Sequence, residues 1–497
     1  METGAKDDRL RWLVLLTVII GTFLGRLDQT IVNLALPKII LDFKITVSSA
    51  GWIATAYILA NAIFVPIWGK LGDTIGRKRV YTIGFIVFIL GSVLAGLSWN
   101  LGSMIIFRVI QAIAGSADYP TAMAILAVTF KPGKERAQAL GLWSASFAAA
   151  VVFGPLIGGP LIDNFGWRSV FLVNLPIGVV GLIMALTFIK ESVADVKTRN
   201  FDWWGALSLG TMLAALVLVL DKGLDWGWLS PKSFAAYGVA LIALAIFVRV
   251  ERRQADPIVD FKFFRNSIFV GALVNNFIVF MGMMGSVFLI PVFAQTYLGL
   301  DATQTGYLFM PMAFGMMAAA PLGGALTGKV QPRYVIMFST AVAALGLFLF
   351  SRLDPRSTPI DIVGPLLIMA LGMGFGMAQR TNIIASAVPT HEVGIASSVL
   401  ALVRNISGAF GIAIFGTILS DSTKAKVLEI AQHSVIRGAS PADYGTGIAL
   451  IILKAQVAAY DHVFIVSSIV VAVGAAAAFW IRVSKDKISK VQVHVEG

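Results

Sequence analysis

Two acids and four arginines stand well inside long apolar stretches of this sequence, where few polar partners are available. The acids are Asp28 and Asp118. At the centre of a bilayer an ionisable residue costs on the order of 2.5 to 3.5 kcal/mol on insertion scales, so each must face a partner or a water-filled cavity. The arginines are Arg26, Arg108, Arg380 and Arg404.

Asp28 and Arg108 are predicted to share a depth in such a layer. With a rise of 1.5 Å per residue, both lie roughly 9 to 12 Å from the same surface, so they could form an ion pair. A nearby cation favours the ionised carboxylate, whereas burial favours the protonated one. A conformational change that separates the pair could therefore drive proton uptake. A fixed structural ion pair is the alternative.

Asp118 belongs to a second pattern on the same stretch as Arg108. Arg108, Gln111, Gly115 and Asp118 fall within about 80° on a helical wheel, so a single helix would place them in one polar or small stripe. We expect this stripe to line a cavity. Asp118 could then be a second protonatable site or a residue that binds a cationic substrate.

A third interpretation makes Asp118 half of a gate. Arg380 and Arg404 are predicted at a depth similar to that of Asp118, on stretches in the other half of the chain. A pair between Asp118 and either arginine would join the two halves. Proton coupling is predicted to involve Asp28, Arg108 and Asp118. For Asp118, this role and the gate are open alternatives.

The buried arginines outnumber the buried acids, which makes a purely cationic substrate less favourable. Anionic, zwitterionic or lipid-like substrates therefore remain open, unless an arginine extends to the interface or binds helix carbonyls. Buried amides could bind substrate or hold helices together. The substrate-cavity candidates are Arg26, Gln111, Asp118, Asn275, Asn276, Gln295, Gln379, Arg380, Arg404 and Asn405.

Composition excludes a soluble multidomain enzyme. Of 497 residues, 57% are hydrophobic and 13% charged, and the mean hydropathy is +0.83. The chain has no cysteine and four scattered histidines, so we expect no disulfide, no metal site and no cysteine nucleophile. The phosphate-binding pattern G-x-x-x-x-G-K-[ST] is absent. We therefore predict no enzymatic residues, no bound cofactor and no use of ATP by this chain.

Fourteen apolar stretches are long enough to cross a bilayer as helices. We predict an all-α polytopic membrane protein with an N-terminal six-helix bundle (1–190), a two-helix insert with linkers (191–265) and a C-terminal six-helix bundle (266–497). An extracellular loop is expected at about 420–460. The stretches are 12–36, 50–71, 80–98, 102–128, 137–161, 169–189, 203–220, 232–250, 268–297, 306–326, 334–350, 360–387, 394–419 and 461–481.

Basic residues predict the orientation. Lys and Arg are more frequent in the loops on the side of the membrane that carries the N-terminus than in the loops on the other side. This predicts that both termini are cytoplasmic. The net charge of +12 is then a topology signal that faces anionic lipid, and we expect no nucleic-acid partner.

The loop after the second stretch resembles a known signature. Residues 69–79 match the pattern G-x-L-x-D-x-x-G-R-[RK]-x of the major facilitator superfamily. The resemblance implies that this loop latches the cytoplasmic gate when the protein faces outward, whereas a basic loop that only sets topology is the alternative. The residues concerned are Gly69, Asp73, Gly76, Arg77 and Lys78.

Three further motifs resemble the fourteen-helix drug/proton antiporters of that superfamily, the QacA and EmrB type. Residues 27–37 are similar to L-D-x-T-I-V-N-V-A-L-P, and residues 108–115 to R-x-x-Q-G-x-G-A with alanine in place of the first glycine. Residues 154–159 match the antiporter motif G-P-x-x-G-G, which implies a hinge and a seal against leak; close packing is the alternative. The hinge residues are Gly154, Pro155, Gly158 and Gly159.

The resemblance covers nearly the whole chain and implies the major facilitator fold. It implies a proton-coupled, alternating-access exporter of drug-like or amphiphilic small molecules in the cell inner membrane, powered by the proton gradient and functional as a monomer among membrane lipids. Export or flipping of lipid-like or anionic metabolites is the first alternative. A membrane receptor or scaffold that transports nothing is the second.

Overall fold

The structure is a computed structural model that describes residues 2–130, 134–192, 202–254, 257, 259, 261–326, 329–386, 393–434 and 441–480. Sixteen α-helices occupy most of these residues, and two short 3-10 helices cover Phe261–Arg265 and Ala478–Trp480. The α-helices are α1 (Glu2–Phe43), α2 (Val47–Ile75), α3 (Arg77–Gly96), α4 (Leu101–Gly115), α5 (Asp118–Thr129), α6 (Lys134–Phe165), α7 (Ser169–Leu172), α8 (Asn174–Phe188), α9 (Trp203–Trp226), α10 (Pro231–Glu251), α11 (Ser267–Tyr297), α12 (Ala302–Gly324), α13 (Pro332–Phe350), α14 (Pro359–Ser386), α15 (Val393–Gln432) and α16 (Pro441–Ala477).

Thirteen segments of the described chain are long and apolar enough to cross a membrane. α4 and α5 together form one of them, Leu101–Thr129, and α7 and α8 form another, Ser169–Phe188. The long helix α6 packs against α1 and α12 and is the fourteenth. The chain is therefore a multi-pass, all-α membrane protein, as the sequence predicts.

Polar caps fix where several helices begin. Thr46 accepts a hydrogen bond from the backbone of Ser49 at the start of α2. Asn100 forms a capping box with Ser103 at the start of α4, and Asp301 does so at the start of α12. These side chains satisfy backbone N–H groups that the first turn of a helix leaves free.

Helices α1 to α8 form one bundle and α11 to α16 a second. The inserted pair α9–α10 packs mainly on itself, and α9 also contacts α2 of the first bundle and α15 of the second. We call the membrane side on which α1 ends and α2 begins the Lys44 side. The opposite side, on which α2 ends and α3 begins, is the Gly76 side.

The two bundles meet toward the Lys44 side. Asp163 of α6 accepts hydrogen bonds from the backbone of Ala302 and Thr303 at the start of α12, at 3.1 and 2.8 Å. The amide Nε2 of Gln295 in α11 donates to the carbonyl oxygen of Leu34 in α1, at 2.9 Å. All these residues lie near helix ends on the Lys44 side, so the seam between the bundles is closed there.

The stretch 102–128 is confirmed as one membrane-length segment, Leu101–Thr129, in which only Ser116 and Ala117 separate α4 from α5. One prediction about the elements is wrong. The loop expected at about 420–460 is mostly helical, since α15 continues to Gln432 and α16 begins at Pro441. Ion pairs along α15, such as Lys426 with Glu429 at 2.8 Å, favour a helix that hydropathy alone does not detect.

Candidate functional site

The predicted contact between Asp28 and Arg108 is confirmed. Nη1 of Arg108 donates to Oδ2 of Asp28 at 2.5 Å, inside the first bundle. α1 supplies the acid and α4 supplies the base. The two residues are at most 1% exposed, so the pair has almost no contact with solvent or lipid. Because water is excluded here, each of the two buried charges is stabilised by the other.

Amide side chains complete the coordination of the Asp28 carboxylate. Its Oδ1 accepts from Nε2 of Gln111 at 3.0 Å and from Nδ2 of Asn174 at 2.9 Å. Asn174 also donates to the hydroxyl of Ser92, at 2.8 Å. Asp28 therefore receives three hydrogen bonds from two helices, two from α4 and one from α8.

Aromatic rings surround the Arg108 guanidinium. Its central carbon lies 4.0 Å from the centre of the Tyr57 ring and 5.7 Å from that of Phe171. Nη1 of Arg108 also donates to Oε1 of Gln111, at 2.7 Å. A cation over a ring face is stabilised without a second acid. The arrangement can hold a cation through a change in the charge of Asp28.

The expected stripe does not line an open cavity. Gln111 is fully buried, with its amide directed at Asp28, so it does not line a cavity in this conformation. Gly115 packs against the rings of Phe88 and Tyr57. The stripe is therefore part of the core of the first bundle.

Asp118 begins α5 and faces α1. Its Oδ2 accepts from the hydroxyl of Thr22 at 2.7 Å. Its Oδ1 is buried and has no hydrogen-bond partner among the described residues. A small void beside it is bordered by Gly21 and Tyr81. No described contact joins Asp118 to Arg380 or Arg404, so the predicted gate is not formed in this conformation.

Arg380 is held by neutral groups inside the second bundle. Its Nε donates to Asn275 at 2.9 Å, and its Nη2 donates to Thr340 at 2.9 Å and to Ser339 at 3.2 Å. It is 1% exposed, and Asn275 is fully buried beside it. Both were expected in a substrate cavity. They instead bind α11, α13 and α14 together, which corrects that expectation.

Gln379 also belongs to helix packing. It is 1% exposed, and its Nε2 donates to the carbonyl oxygen of Gly323 at 3.1 Å, which joins α14 to α12. Gln295 is half-buried and ties α11 to Leu34 across the seam. Both amides donate to backbone carbonyls of a neighbouring helix, so they hold helices together in this conformation.

Arg26 and Arg404 are the partly exposed arginines of the set. Nη1 of Arg26 donates to Gln29 at 3.3 Å. Arg404 donates to the buried Asn276 at 3.4 Å and lies 4.9 Å from the ring centre of Phe280. They occupy α1 and α15, and each of these helices contacts the opposite bundle. Their place at the seam agrees with a role in substrate binding.

Asn405 and Asn276 complete the predicted cavity set. Asn405 is half-buried, next to Arg404 on α15. Asn276 is fully buried, and its Nδ2 donates to the carbonyl of Ala272 at 2.9 Å. Asn276 therefore positions Arg404 rather than lining open space.

The antiporter motif lies at close helix contacts. A Cβ atom on Gly154 would lie 2.0 Å from the Thr30 hydroxyl, and one on Gly158 would lie 2.8 Å from the Ile31 side chain, so α6 approaches α1 closely. One on Gly159 would lie 2.4 Å from the backbone of Thr303 in α12. The motif therefore packs α6 against both bundles.

Proline of the same motif takes part in the seam. A Cβ atom on Gly306 of α12 would lie 2.6 Å from the carbonyl oxygen of Pro155. Because Pro155 is within α6, it removes one backbone donor from the helix. The hinge role predicted for Gly154, Pro155, Gly158 and Gly159 stays a prediction, and the close approach that it requires is present.

The signature loop is anchored by Glu191, an acid that lies outside the predicted motifs. Glu191 accepts hydrogen bonds from the backbone of Lys78 at 3.0 Å and Arg79 at 3.2 Å, at the start of α3. Gly76 adopts φ +110°, and a Cβ there would meet Glu191. The backbone of Arg77 donates to the carbonyl of Ser192 at 3.0 Å.

The rest of this loop is described less fully. Gly69 packs against Pro120 of α5. The side chain of Asp73 lies outside the described ones. Its latch role therefore stays a prediction.

Asn174 was not predicted as a site residue, although it stands in the run Phe-Leu-Val-Asn-Leu-Pro at 171–176, where an amide among apolar neighbours is a detectable signal.

The sequence profile of the Major Facilitator Superfamily matches residues 18–412. The multidrug resistance protein Stp of Mycobacterium tuberculosis (strain CDC 1551 / Oshkosh) is 32% identical over 413 residues, which cover 83% of this chain and 76% of that protein. The multidrug export protein EmrB of Haemophilus influenzae is 30% identical over 404 residues, 80% of this chain and 79% of that protein.

The fold has a counterpart among solved structures. A bacterial homologue of the human lysosomal transporter Spinster, in an inward-facing and occupied conformation, superposes with a TM-score of 0.69 at 16% identity, over 94% of this chain and 96% of that one. With the profile match, the relatives and the two helix bundles, the chain belongs to the Major Facilitator Superfamily.

Proposed function

We propose that the chain is a proton-coupled, alternating-access exporter of drug-like or amphiphilic small molecules. The observation that carries this proposal is the buried Asp28–Arg108 pair, at 2.5 Å, within the motif that resembles the drug/proton antiporters. The names of the two relatives, a multidrug resistance protein and a multidrug export protein, support the substrate class. The proton gradient is the energy source in this proposal.

The orientation follows the basic loops. Arg77, Lys78 and Arg79 lie on the Gly76 side, which we assign to the cytoplasm, so the Lys44 side is extracellular. Both termini are then cytoplasmic, in the inner membrane. The hydrogen bonds between Asp163 and Thr303 close the seam on the Lys44 side, and in our proposal this closed seam belongs to the inward-facing state.

Coupling in this scheme depends on one carboxylate. In the inward-facing state Asp28 is ionised, paired with Arg108 and closed off from the extracellular side. Opening of the extracellular seam admits water and protons to the region of Asp28. Protonation removes its negative charge, and Arg108 then relies on Tyr57 and Gln111. Return to the inward-facing state releases the proton to the cytoplasm, and the charged pair forms again.

Export of lipid-like or anionic metabolites is the second candidate. Arg26 and Arg404 favour it, because both are partly exposed on helices at the seam. Arg380 no longer supports it, since neutral side chains enclose its guanidinium. A receptor or scaffold that transports nothing is not favoured by any described contact, and a buried charge pair has no evident use in it.

Transport into inside-out proteoliposomes tests the proposal. The full chain would be reconstituted, a proton gradient applied, and uptake followed for three fluorescent probes of similar size: a cation such as ethidium, a zwitterion and an anion. Gradient-dependent uptake of the cation supports the drug exporter. Uptake of the anion alone supports the second candidate, and the absence of gradient-driven uptake of any probe contradicts both.

A further inference from the structure

Three arginines lie at the end of α10 on the Gly76 side, Arg249 in its last turn and Arg252 and Arg253 directly after its last residue, Glu251. Arg249, Arg252 and Arg253 are spaced three and four residues apart, so their side chains are neighbours on the helix surface. All three are exposed. This spacing presents three guanidinium groups toward one direction.

The same face continues into the membrane as an apolar row. At the helix repeat, Leu241, Leu244, Ala245 and Val248 precede Arg249 along one side of α10. Leu241 is 65% exposed and Leu244 is 41% exposed. These side chains border a shallow groove on the outer surface of α10 alone, which ends at the arginines. Its length from Leu241 to Arg253 is roughly 18 Å, more than half the hydrocarbon thickness of a bilayer.

The opposite face of α10 is already used. Ala240, Ala243 and Phe247 are buried, and α10 packs mainly on α9. The groove therefore faces away from the protein and toward lipid. Three arginines at the end of an apolar, lipid-facing row form an amphipathic surface with its charge at the level of the head groups.

Acids near the arginines are directed elsewhere. Glu251, on the same helix turn, is 3% exposed and accepts a hydrogen bond from the backbone of Val259 at 3.4 Å. Among the described residues, no carboxylate forms an ion pair with Arg249, Arg252 or Arg253. Asp256 and Asp260 follow in the sequence and lie outside the described residues. The described part of this surface is positively charged.

We infer that this face of α10 binds an anionic phospholipid of the cytoplasmic leaflet. The arginines hold the phosphate, and the apolar row from Leu241 to Val248 holds an acyl chain. Arginine suits this ligand, because its planar fork donates two parallel hydrogen bonds to phosphate oxygens. Basic clusters at the cytoplasmic end of a membrane helix attract anionic lipid. The leaflet assignment rests on the orientation in the proposed function.

Lipid binding to the purified full chain in a neutral detergent tests this inference. Dioleoyl phosphatidylglycerol, dioleoyl phosphatidylcholine and inorganic phosphate would be titrated separately, with bound lipid counted by native mass spectrometry and thermal unfolding followed in parallel. We expect retention of phosphatidylglycerol and a rise in the unfolding temperature. Equal effects of phosphatidylcholine would overturn the charge recognition, and equal effects of phosphate would overturn the need for acyl chains.

A charge-matched pair of triple variants locates the site. Arg249→Gln with Arg252→Gln and Arg253→Gln should weaken phosphatidylglycerol binding about tenfold or more. The control removes three exposed basic residues elsewhere on the same side and should bind like the parent chain. Equal binding by both variants would overturn the site. The control changes are Lys190→Gln, Arg265→Gln and Lys329→Gln.

A milder pair protects the test against loss of folding. Arg252→Gln alone should weaken binding about threefold, and Lys329→Gln alone should leave it unchanged. Because binding is measured without a gradient, its failure leaves the export proposal intact, and a chain that binds the lipid but transports no probe contradicts only the proposed function.

Discussion

Asp163 of α6 and Thr303 of α12 are joined by two hydrogen bonds across the boundary between the bundles. The carboxylate accepts from the backbone N–H at 2.8 Å and from the hydroxyl at 2.7 Å. Ala302 donates a third, at 3.1 Å. Because α6 and α12 belong to different bundles, opening of the seam on the Lys44 side breaks all three. Asp163 therefore stabilises the state closed on that side.

Replacing Asp163 should shift the protein toward the outward-open state. Asp163→Ala removes a negative charge from the N-terminus of α12, and we expect the open population to rise roughly two- to fivefold. Spin-label distances between cysteines introduced at Leu41 and Ile360 would measure it, since the chain has no cysteine of its own. Asp42→Ala is the control, because Asp42 pairs with Arg168 within one bundle. Equal shifts in both variants would contradict the role of Asp163 in closing the seam.

The hydrogen bonds between Asp163 and the start of α12 should not respond to pH in the neutral range. Partial burial raises the pKa of Asp163, but hydrogen bonds from Thr303 and Ala302 and the charge of Lys38 outweigh it and leave the pKa below its ordinary value. In the open state the pKa returns to about 3.9. The contact thus favours closure at higher pH and is lost as pH falls through the lowered pKa.

The same distances recorded from about pH 8 down to pH 3.5 would check this. The parent chain should stay closed until about pH 4 and then open, whereas Asp163→Asn should lack that step. A step between pH 5 and 7 that Asp163→Asn abolishes would show that the carboxylate titrates in another environment.

Arg108→Ala should destabilise the protein more than Asp28→Asn. The alanine leaves the Asp28 carboxylate buried without its cation, which lowers the free energy of unfolding by about 3 to 5 kcal/mol in comparable pairs. The asparagine keeps an oxygen that accepts from Arg108, and the amides of Gln111 and Asn174 can rotate to offer acceptors. Unfolding of the purified variants in detergent would compare them. Equal loss in both would argue against this difference.

Asp118→Asn should couple energetically to Thr22 and not to Arg380. Asp118 accepts from Thr22, whereas neutral partners hold Arg380 in the other bundle. Double-mutant cycles with Thr22→Val should show a coupling of about 0.5 to 3 kcal/mol, and cycles with Arg380→Gln should be additive. The gate then depends on Arg404, and additivity with Arg404→Gln as well would exclude it.

Asp221 should anchor the inserted helices to the first bundle. Its carboxylate accepts from the hydroxyl of Ser48 at 2.6 Å and from the indole of Trp52 at 2.7 Å. Asp221→Ala leaves those donors without a partner and should lower stability by about 1 to 3 kcal/mol. Asp225→Ala, one turn away, breaks only an exposed pair with Lys424. Equal unfolding temperatures for the two variants would show that α9 is held by apolar packing alone.

Hydropathy and charge predict much of this fold from the sequence. Each membrane helix needs a long apolar run, so thirteen of the fourteen predicted stretches coincide with membrane-length segments of the described chain, and the Asp28–Arg108 pair follows from equal depth. Helix extensions outside the membrane are polar, so hydropathy does not detect them. The part of α15 around Lys426 and Glu429 is polar and helical, and its ion pairs give no hydropathy signal.

Side-chain direction is the part of the site that the sequence leaves open. Arg380 and Arg404 have similar depths, but one is enclosed by its own bundle and the other stays partly exposed. The side chain of Asp118 accepts a hydrogen bond from Thr22 of α1 instead of reaching either arginine. Asn174 and Glu191 act through contacts with distant helices. Such contacts depend on packing between helices, which spacing within one helix does not encode.

Proton-driven export by Asp28→Asn in proteoliposomes tests the coupling role of the buried pair. Uptake of the transported probe under a proton gradient would be measured beside exchange of the probe between equal concentrations inside and outside, which needs no proton. Asp42→Asn, which changes an exposed acid of the same helix, is the control. We predict that Asp28→Asn loses gradient-driven export and retains exchange. Gradient-driven export near the parent rate would contradict the role of Asp28.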